Sequence, residues 1–139
     1  DLIEKDKLDI KENEEKIKSK IAPFKDVPIL FISVLKKQRV LKALDVAIKI
    51  FESRNLKIKT SELNRFILPI VNKNPPPTKK GKTIKIKFCT QLPTKFPQFV
   101  LFCNLPQYIK EPYKRFIENK LRGKYKFSGV PLNIYFRKK

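Results

Sequence analysis

The feature that most restricts the fold is a short, continuously apolar segment between two helical patterns. Residues 27–33 read VPILFIS and closely follow a proline, Pro23. Such a run is typical of a strand that is buried on both faces, as in parallel α/β sheets. A single strand of this kind has no ladder partner, so its backbone groups require neighbouring strands. The segment therefore predicts one piece of an α/β layer and not a whole one.

Both flanks of this segment have helical periodicity. In residues 1–25, Ile10, Ile17 and Ile21 fall on one helical face, with Asp6 or Asp9 as the start and Pro23 as the end. Residues 40–51 also place their apolar side chains on one face of a helix. These side chains belong to Val40, Leu41, Leu44, Ala47, Ile48 and Phe51. The first part of the chain thus predicts helix, strand, helix.

Residues 60–139 predict the order α-β-β-α-β. The first helix begins with Thr60 or Ser61 as N-cap, and Pro69 inside its apolar stripe should kink or shorten it. The strand at residues 83–90 alternates, which places Ile84, Ile86 and Phe88 on one side and Lys85, Lys87 and Cys89 on the other.

The remaining elements follow the same rules. Residues 97–104 predict a strand that is nearly all apolar, and a short helix fits near residues 105–110. Residues 111–122 predict a helix with Pro112 in its first turn. In the last strand Leu132, Ile134 and Phe136 share one face, which the helices must cover. The fold class is α/β (α+β): an incomplete helix-strand-helix fragment, then a three-stranded sheet with helices on one face.

Positive charge is concentrated after residue 26. The 139 residues hold 33 bases and 13 acids, a formal charge of +20. Residues 1–26 hold 8 of the acids and 7 of the bases, so the rest holds 26 bases and 5 acids. A field of this sign attracts polyanions, of which nucleic acid is the most abundant. The alternative is a lysine-rich composition that reflects an A/T-rich genome.

Several classes of function are disfavoured by composition. The chain has no His, which removes the commonest general base and metal ligand, and two Cys are too few for a zinc cage or a disulfide scaffold. We expect no metal site, and we expect Cys89 and Cys103 to be buried small apolar residues. No apolar run reaches the roughly 18–20 residues that cross a bilayer, and no signal segment opens the chain.

Several strings, in this order, resemble the carboxyl-terminal part of the Der (EngA) family of bacterial GTPases. They are PILFIS, TSELNRF, NPPP, KIKFCTQ, FVLFCN, YKRFIENKLR and GVPLNIYFRKK. That family has two GTPase domains in tandem, followed by a KH-like domain, and acts in ribosome assembly. The resemblance implies that residues 1–55 are the end of the second GTPase domain and that residues 56–139 are the KH-like domain. It also implies a cytoplasmic protein of bacterial or endosymbiont-like origin.

The resemblance also implies part of a guanine site. Asp1 falls at the terminal Asp of the NKxD motif, and Ser33 and Val34 fall on the last guanine-contact loop, where the family usually has Ser-Ala. The chain lacks the GxxxxGK[ST] loop, the switch threonine and DxxG, so the phosphates and Mg²⁺ have no cradle. GTP or GDP with Mg²⁺ is therefore expected in the intact parent, and no cofactor or catalytic residue is expected in these 139 residues.

A surface for RNA phosphates or for the parent's GTPase domains is expected on the basic residues. It comprises Lys79, Lys80, Lys82, Lys85, Lys87, Tyr135, Arg137, Lys138 and Lys139. The GXXG loop of KH domains is missing, because no glycine lies between residues 105 and 122. The resemblance implies the large ribosomal subunit and its rRNA as partners, and no membrane. The alternatives are a merely solvated sheet face and a stand-alone basic RNA-binding or ribosomal protein of KH-like fold.

Overall fold

The structure is a computed structural model that describes residues 7–21, 26–79 and 81–138. The chain divides into two compact units. The first consists of Asp1–Ser53 with Ser128–Val130, and the second of Arg54–Phe127 with Pro131–Lys139. None of the helices in the described ranges is long and apolar enough to cross a membrane.

The first unit is built from two helices and the segment between them. Helix α1 spans Lys7–Lys20 and helix α2 spans Val40–Asn55, as the periodicity predicts. Residues 27–33 were predicted as a buried strand whose neighbours are missing. Within the described chain they join no sheet and are mostly not buried, and Ser33 forms an isolated bridge with Gln38. The reason is the one that the sequence indicates, since a lone strand has no neighbour to complete its backbone hydrogen bonds.

The amphipathic face of α2 is exposed to solvent. None of its residues is buried, and Leu41 and Phe51 keep 77% and 63% of their surface accessible. Val40, Leu44 and Ile48 on the same face are exposed as well. An apolar stripe of this width normally faces a core. The helix therefore carries an apolar face of the kind that packs on a core, but the described residues do not bury it.

The second unit contains α3 (Thr60–Lys73), β1 (Ile86–Gln91), β2 (Gln98–Cys103), a 3₁₀ turn at Pro106–Tyr108, α4 (Glu111–Tyr125) and β3 (Asn133–Lys138). The sheet order is β1-β2-β3, with β1 antiparallel and β3 parallel to the central β2. The predicted α-β-β-α-β order is confirmed, including the short extra helix.

One core lies between the two helices and one face of the sheet. Helix α3 buries Leu63, Ile67 and Val71, and α4 buries Tyr113, Ile117 and Leu121, at the helical spacing of their apolar stripes. The strands contribute the alternate, inward-facing residues to the same cluster. These are Ile86, Cys89, Phe99, Leu101, Cys103, Ile134 and Phe136.

The start of α3 differs from the prediction. Its N-cap is Lys59, which makes no side-chain cap bond, and Thr60 is the first helical residue. The Thr60 hydroxyl lies 3.5 Å from the Thr90 hydroxyl in β1, so tertiary contact with the sheet replaces the capping role. Pro69 does not shorten the helix, which continues to Lys73 with the proline on its exposed side.

A β-bulge overturns the predicted alternation of β1. Ile86 pairs with Cys103 and Phe88 with Phe102, so Lys87 is an extra residue without a partner of its own. The insertion reverses the faces of everything after it, because side chains alternate along a strand. Phe88 consequently points away from the core and Cys89 points into it, the opposite of what strict alternation along β1 predicts for both.

Amide side chains bind backbone groups at and beside β1. The Asn64 Nδ2 donates to the Cys89 carbonyl and its Oδ1 accepts from the Cys89 N–H, both at 2.8 Å. Gln91 does the same to the segment before α3, bonding the Ile58 N–H at 2.8 Å and the Leu56 carbonyl at 2.9 Å. The Asn64 bonds pair groups that an edge strand otherwise leaves open, and the Gln91 bonds hold the segment before α3 to β1.

Candidate nucleic-acid interface

Strand register brings four of the predicted basic residues to one end of the sheet. Phe102 pairs with Arg137 and Cys103 with Lys138, while Ile86 opposite Cys103 marks the start of β1. Lys85 immediately precedes β1 and Lys87 is the bulged residue, and all four basic side chains are exposed. We call Lys85, Lys87, Arg137 and Lys138 the basic end of the sheet.

The predicted basic loop leads into β1 at this end. Lys79 and Lys82 are exposed and exchange two backbone hydrogen bonds, at 3.2 and 3.0 Å, which close a tight turn. Lys80 and Lys139 lie outside the described residues. The loop therefore places Lys79 and Lys82 shortly before Lys85 and Lys87 in the chain.

Acidic side chains are absent from all three strands of this sheet. The second unit has 21 bases and only three acids, Glu62, Glu111 and Glu118, a net charge of +18. All three acids lie on α3 or α4, and Glu111 and Glu118 form ion pairs with Lys114 and Arg122 on α4 itself. Nothing on the strands therefore opposes the attraction of a polyanion to the basic end.

Aromatic side chains occupy the sheet face that α3 and α4 do not cover. We call this the outer face; Phe88 and Tyr135 on it are 37% and 42% exposed, and Phe102 is half-buried. Tyr135 was predicted there, but Phe88 and Phe102 were missed. The signal available in the sequence is the adjacent pair Phe88–Cys89, two apolar residues in succession where strict alternation requires one.

The region where KH domains carry GXXG is shaped differently in this chain. β2 is connected to α4 by residues 104–110, which include the 3₁₀ turn and no glycine. The Tyr113 hydroxyl donates to the Asn74 carbonyl at 2.7 Å and so ties α4 to the end of α3. The start of α4 is thus held against the end of α3, and the connection before α4 lacks the glycine loop that binds four nucleotides in KH domains.

Residues of the predicted guanine-contact loop form a closed turn. The Ser33 N–H donates to the Gln38 carbonyl at 3.1 Å and the Ser33 carbonyl accepts from Gln38 at 2.8 Å. Ser33 is buried, whereas Val34 is 68% exposed. Asp1 lies outside the described residues, so the guanine role of the three residues stays a prediction. The described residues contain no phosphate-binding loop, and they do not fit GTP or Mg²⁺ by themselves.

Both cysteines are free and buried, which confirms that they are apolar core residues. Burial raises the pKa of the Cys89 thiol to about 12 and raises the pKa of Cys103 as well. A thiol with a raised pKa holds little thiolate at neutral pH and is a poor nucleophile. Neither cysteine therefore contributes chemistry to the candidate site.

Alkaline pH is expected to lower the free energy of unfolding through these buried groups. Burial raises the pKa of Cys89 from 9.0, and that of Tyr113 from 10.0, to about 12. The unfolded chain therefore loses these protons first, so the stabilisation is complete below pH 9 and disappears as the pH rises towards 12. Urea denaturation at a series of pH values measures how the free energy of unfolding changes with pH. A Cys89→Ala variant has the same lysines as the unaltered chain, and its free energy of unfolding should fall less steeply above pH 9. Equal pH dependence of the two proteins would contradict a contribution from the buried Cys89 thiol.

Comparisons with known proteins agree with the fold. A family model described as the KH-domain-like of EngA bacterial GTPase enzymes, C-terminal, matches residues 57–137. Relatives named GTPase Der are 60% identical in Christiangramia forsetii and 55% identical in Flavobacterium johnsoniae, each over 100% of this chain and 32% of the relative. A GTPase Der from Bacteroides fragilis is 56% identical over the whole chain. The chain spans about a third of the length of the curated relatives that it matches.

Proposed function

Because the chain belongs to the family of KH-like carboxyl-terminal domains of EngA bacterial GTPases, we propose that it is the carboxyl-terminal part of a ribosome-assembly GTPase. In this proposal its KH-like domain contacts rRNA of the large ribosomal subunit and the GTPase domains of the same chain. GTP and Mg²⁺ bind to the parent's GTPase domains, which supply the phosphate-binding loops, and the protein works in the cytoplasm.

The observation that carries the RNA contact is the uncompensated charge of the sheet. The second unit has a net charge of +18, its strands hold no carboxylate, and the register collects four exposed cations at one end. Phosphate contacts of this kind position a protein on RNA and do not read sequence. The proposal is therefore affinity for the RNA backbone rather than recognition of a particular sequence.

Two features support a GTPase parent over a stand-alone RNA-binding protein. A self-sufficient fold should pair residues 27–33 as a strand of a sheet within the chain, yet in the described residues they belong to no sheet, and Ser33 forms an isolated bridge with Gln38. A self-sufficient fold should also bury the stripe of α2, which includes Leu41 and Phe51 and is exposed. Both features fit a segment whose neighbouring strands and core come from a larger GTPase domain.

Binding to a 12-nucleotide single-stranded RNA of mixed sequence should weaken steeply with salt. The logarithm of the affinity should fall against the logarithm of the KCl concentration by about 0.7 for each phosphate neutralised. Replacing Lys85 and Lys87 with glutamine removes two charges of the basic end and should reduce this slope by about 1.4. Fluorescence anisotropy of the labelled RNA measures both quantities.

Lys42 and Lys49 provide a matched control, because they are exposed lysines of α2 in the first unit. Their replacement with glutamine should leave the slope unchanged. If both double variants reduce the slope equally, the affinity for RNA depends only on the net charge of the protein. That result would refute a specific contribution of the basic end. Absence of RNA binding at low salt would refute the RNA contact altogether.

A further inference from the structure

The outer face of the sheet arranges its aromatic and cationic side chains in cross-strand rows. Phe88, Phe102 and Arg137 stand directly opposite one another on the three strands. The two phenylalanine rings lie 6.0 Å apart, centroid to centroid, with their planes inclined by 41°. The next row consists of Thr90, Val100 and Tyr135, of which Val100 is buried and Tyr135 is exposed. Phe88, Phe102 and Tyr135 therefore form an aromatic platform on the outer face, with Arg137 at its side.

The bulge at Lys87 creates this platform. Without the extra residue, Phe88 would point into the core and the small Cys89 would point outward. With the extra residue, the Phe88 ring is 37% exposed beside Lys87 in the chain, and Cys89 takes the inward-facing position instead. Bulges are frequent next to functional sites, where they re-aim a side chain. Here the re-aimed side chain is an aromatic ring beside a cation.

The charges around the platform indicate the kind of ligand. Lys87 immediately precedes Phe88 in the chain, Arg137 ends the row of phenylalanines, and the strands carry no carboxylate. Flat apolar rings beside fixed cations match a nucleotide, whose base offers a π-face and whose phosphate carries negative charge. A base can reach such a platform only when it is not paired in a duplex.

We propose that the outer face binds single-stranded RNA by stacking bases on Phe88 and Tyr135, with Lys87 and Arg137 at the flanking phosphates. Phe88 and Tyr135 lie on the two outer strands and in neighbouring rows, about 12 Å apart across β2, so they hold two bases that are not stacked on each other. This mode rests on the proposed RNA contact and adds to it a stacking surface in place of the missing GXXG loop.

Replacing an aromatic residue with leucine tests stacking separately from charge. Phe88→Leu and Tyr135→Leu keep an apolar side chain and every cation, and each should weaken binding of a fluorescein-labelled U₈ RNA about tenfold. The salt dependence of binding should stay unchanged, because no phosphate contact is removed. Phe51→Leu is the matched control: it alters a phenylalanine that is 63% exposed on α2, and it should not change the affinity.

The outcomes separate this inference from the function on which it rests. If the 139-residue chain binds U₈ and both aromatic variants bind it equally well, stacking is refuted and the electrostatic RNA contact stands. If the unaltered chain does not bind U₈ at low salt, both the stacking and the electrostatic RNA contact are refuted. Equal affinities for U₈ and for an RNA duplex would refute stacking. Stacking would also be refuted if sedimentation showed a dimer that Phe88→Leu dissociates, because the outer face would then bind a second copy of the chain. Circular dichroism melting should confirm that the variants remain folded.

Discussion

Phe99→Ala is expected to lower the free energy of unfolding by about 3–5 kcal/mol. Phe99 is fully buried in the central strand, and its ring packs edge-on to Phe127 with centroids 5.9 Å apart. Truncation removes this ring from the middle of the only extended core of the second unit's described residues. Because small domains are stable by only about 5–15 kcal/mol, the variant should unfold at much lower urea concentration.

Phe88→Ala is the matched control, since the bulge places this phenylalanine on the outer face at 37% exposure. We expect a cost of about 1 kcal/mol or less, because the side chain leaves no closed cavity. Phe99→Leu provides a milder core variant if the alanine variant does not fold. Similar costs for Phe88→Ala and Phe99→Ala would contradict the bulge and restore the simple alternation of β1.

Asn64→Ala is expected to cost about 2–4 kcal/mol, although it removes only an amide group. The Asn64 side chain donates to the Cys89 and Thr60 carbonyls, at 2.8 and 2.7 Å, and accepts from the Cys89 N–H at 2.8 Å. Its loss leaves the N–H and carbonyl of Cys89 without these partners, and each buried unsatisfied group costs about 1–3 kcal/mol. Chemical denaturation and amide hydrogen exchange at Cys89 measure the effect.

Asn72→Ala controls for the change of residue type, because Asn72 lies on the same helix and is exposed. It should change stability by about 0.5 kcal/mol at most. If Asn64→Ala is as mild as Asn72→Ala, or if the Cys89 amide exchanges no faster in it, the amide bridge does not hold α3 to β1.

Phe99→Ala and Asn64→Ala test what holds the aromatic platform in place. Phe99 and Cys89 face the core from the strands that carry Phe102 and Phe88 on the outer face. The core therefore fixes the backbone of both strands, and Asn64 fixes the free side of β1 just after the bulge. A binding surface built on paired strands is more rigid than one built on loops.

Much of the second unit could be predicted from the sequence. The stripes of α3 and α4 and the inward face of β3 follow from helical and strand periodicity, and the structure confirms them. The resemblance to the EngA family is confirmed by the matched family model and by relatives that cover the whole chain. The candidate site was foreseen as a set of basic residues and Tyr135, without its phenylalanines.

The sequence by itself determined the helices, the charge surplus and the order of the elements, because these depend on residues that are close together in the chain. Only the tertiary structure decided that Lys87 forms a bulge, that Phe88 faces outward, and that Thr60 turns to Thr90 instead of capping α3. Each of these outcomes depends on a partner strand or helix. Strand pairing and register are set by such distant partners, so the pattern of one segment does not contain them.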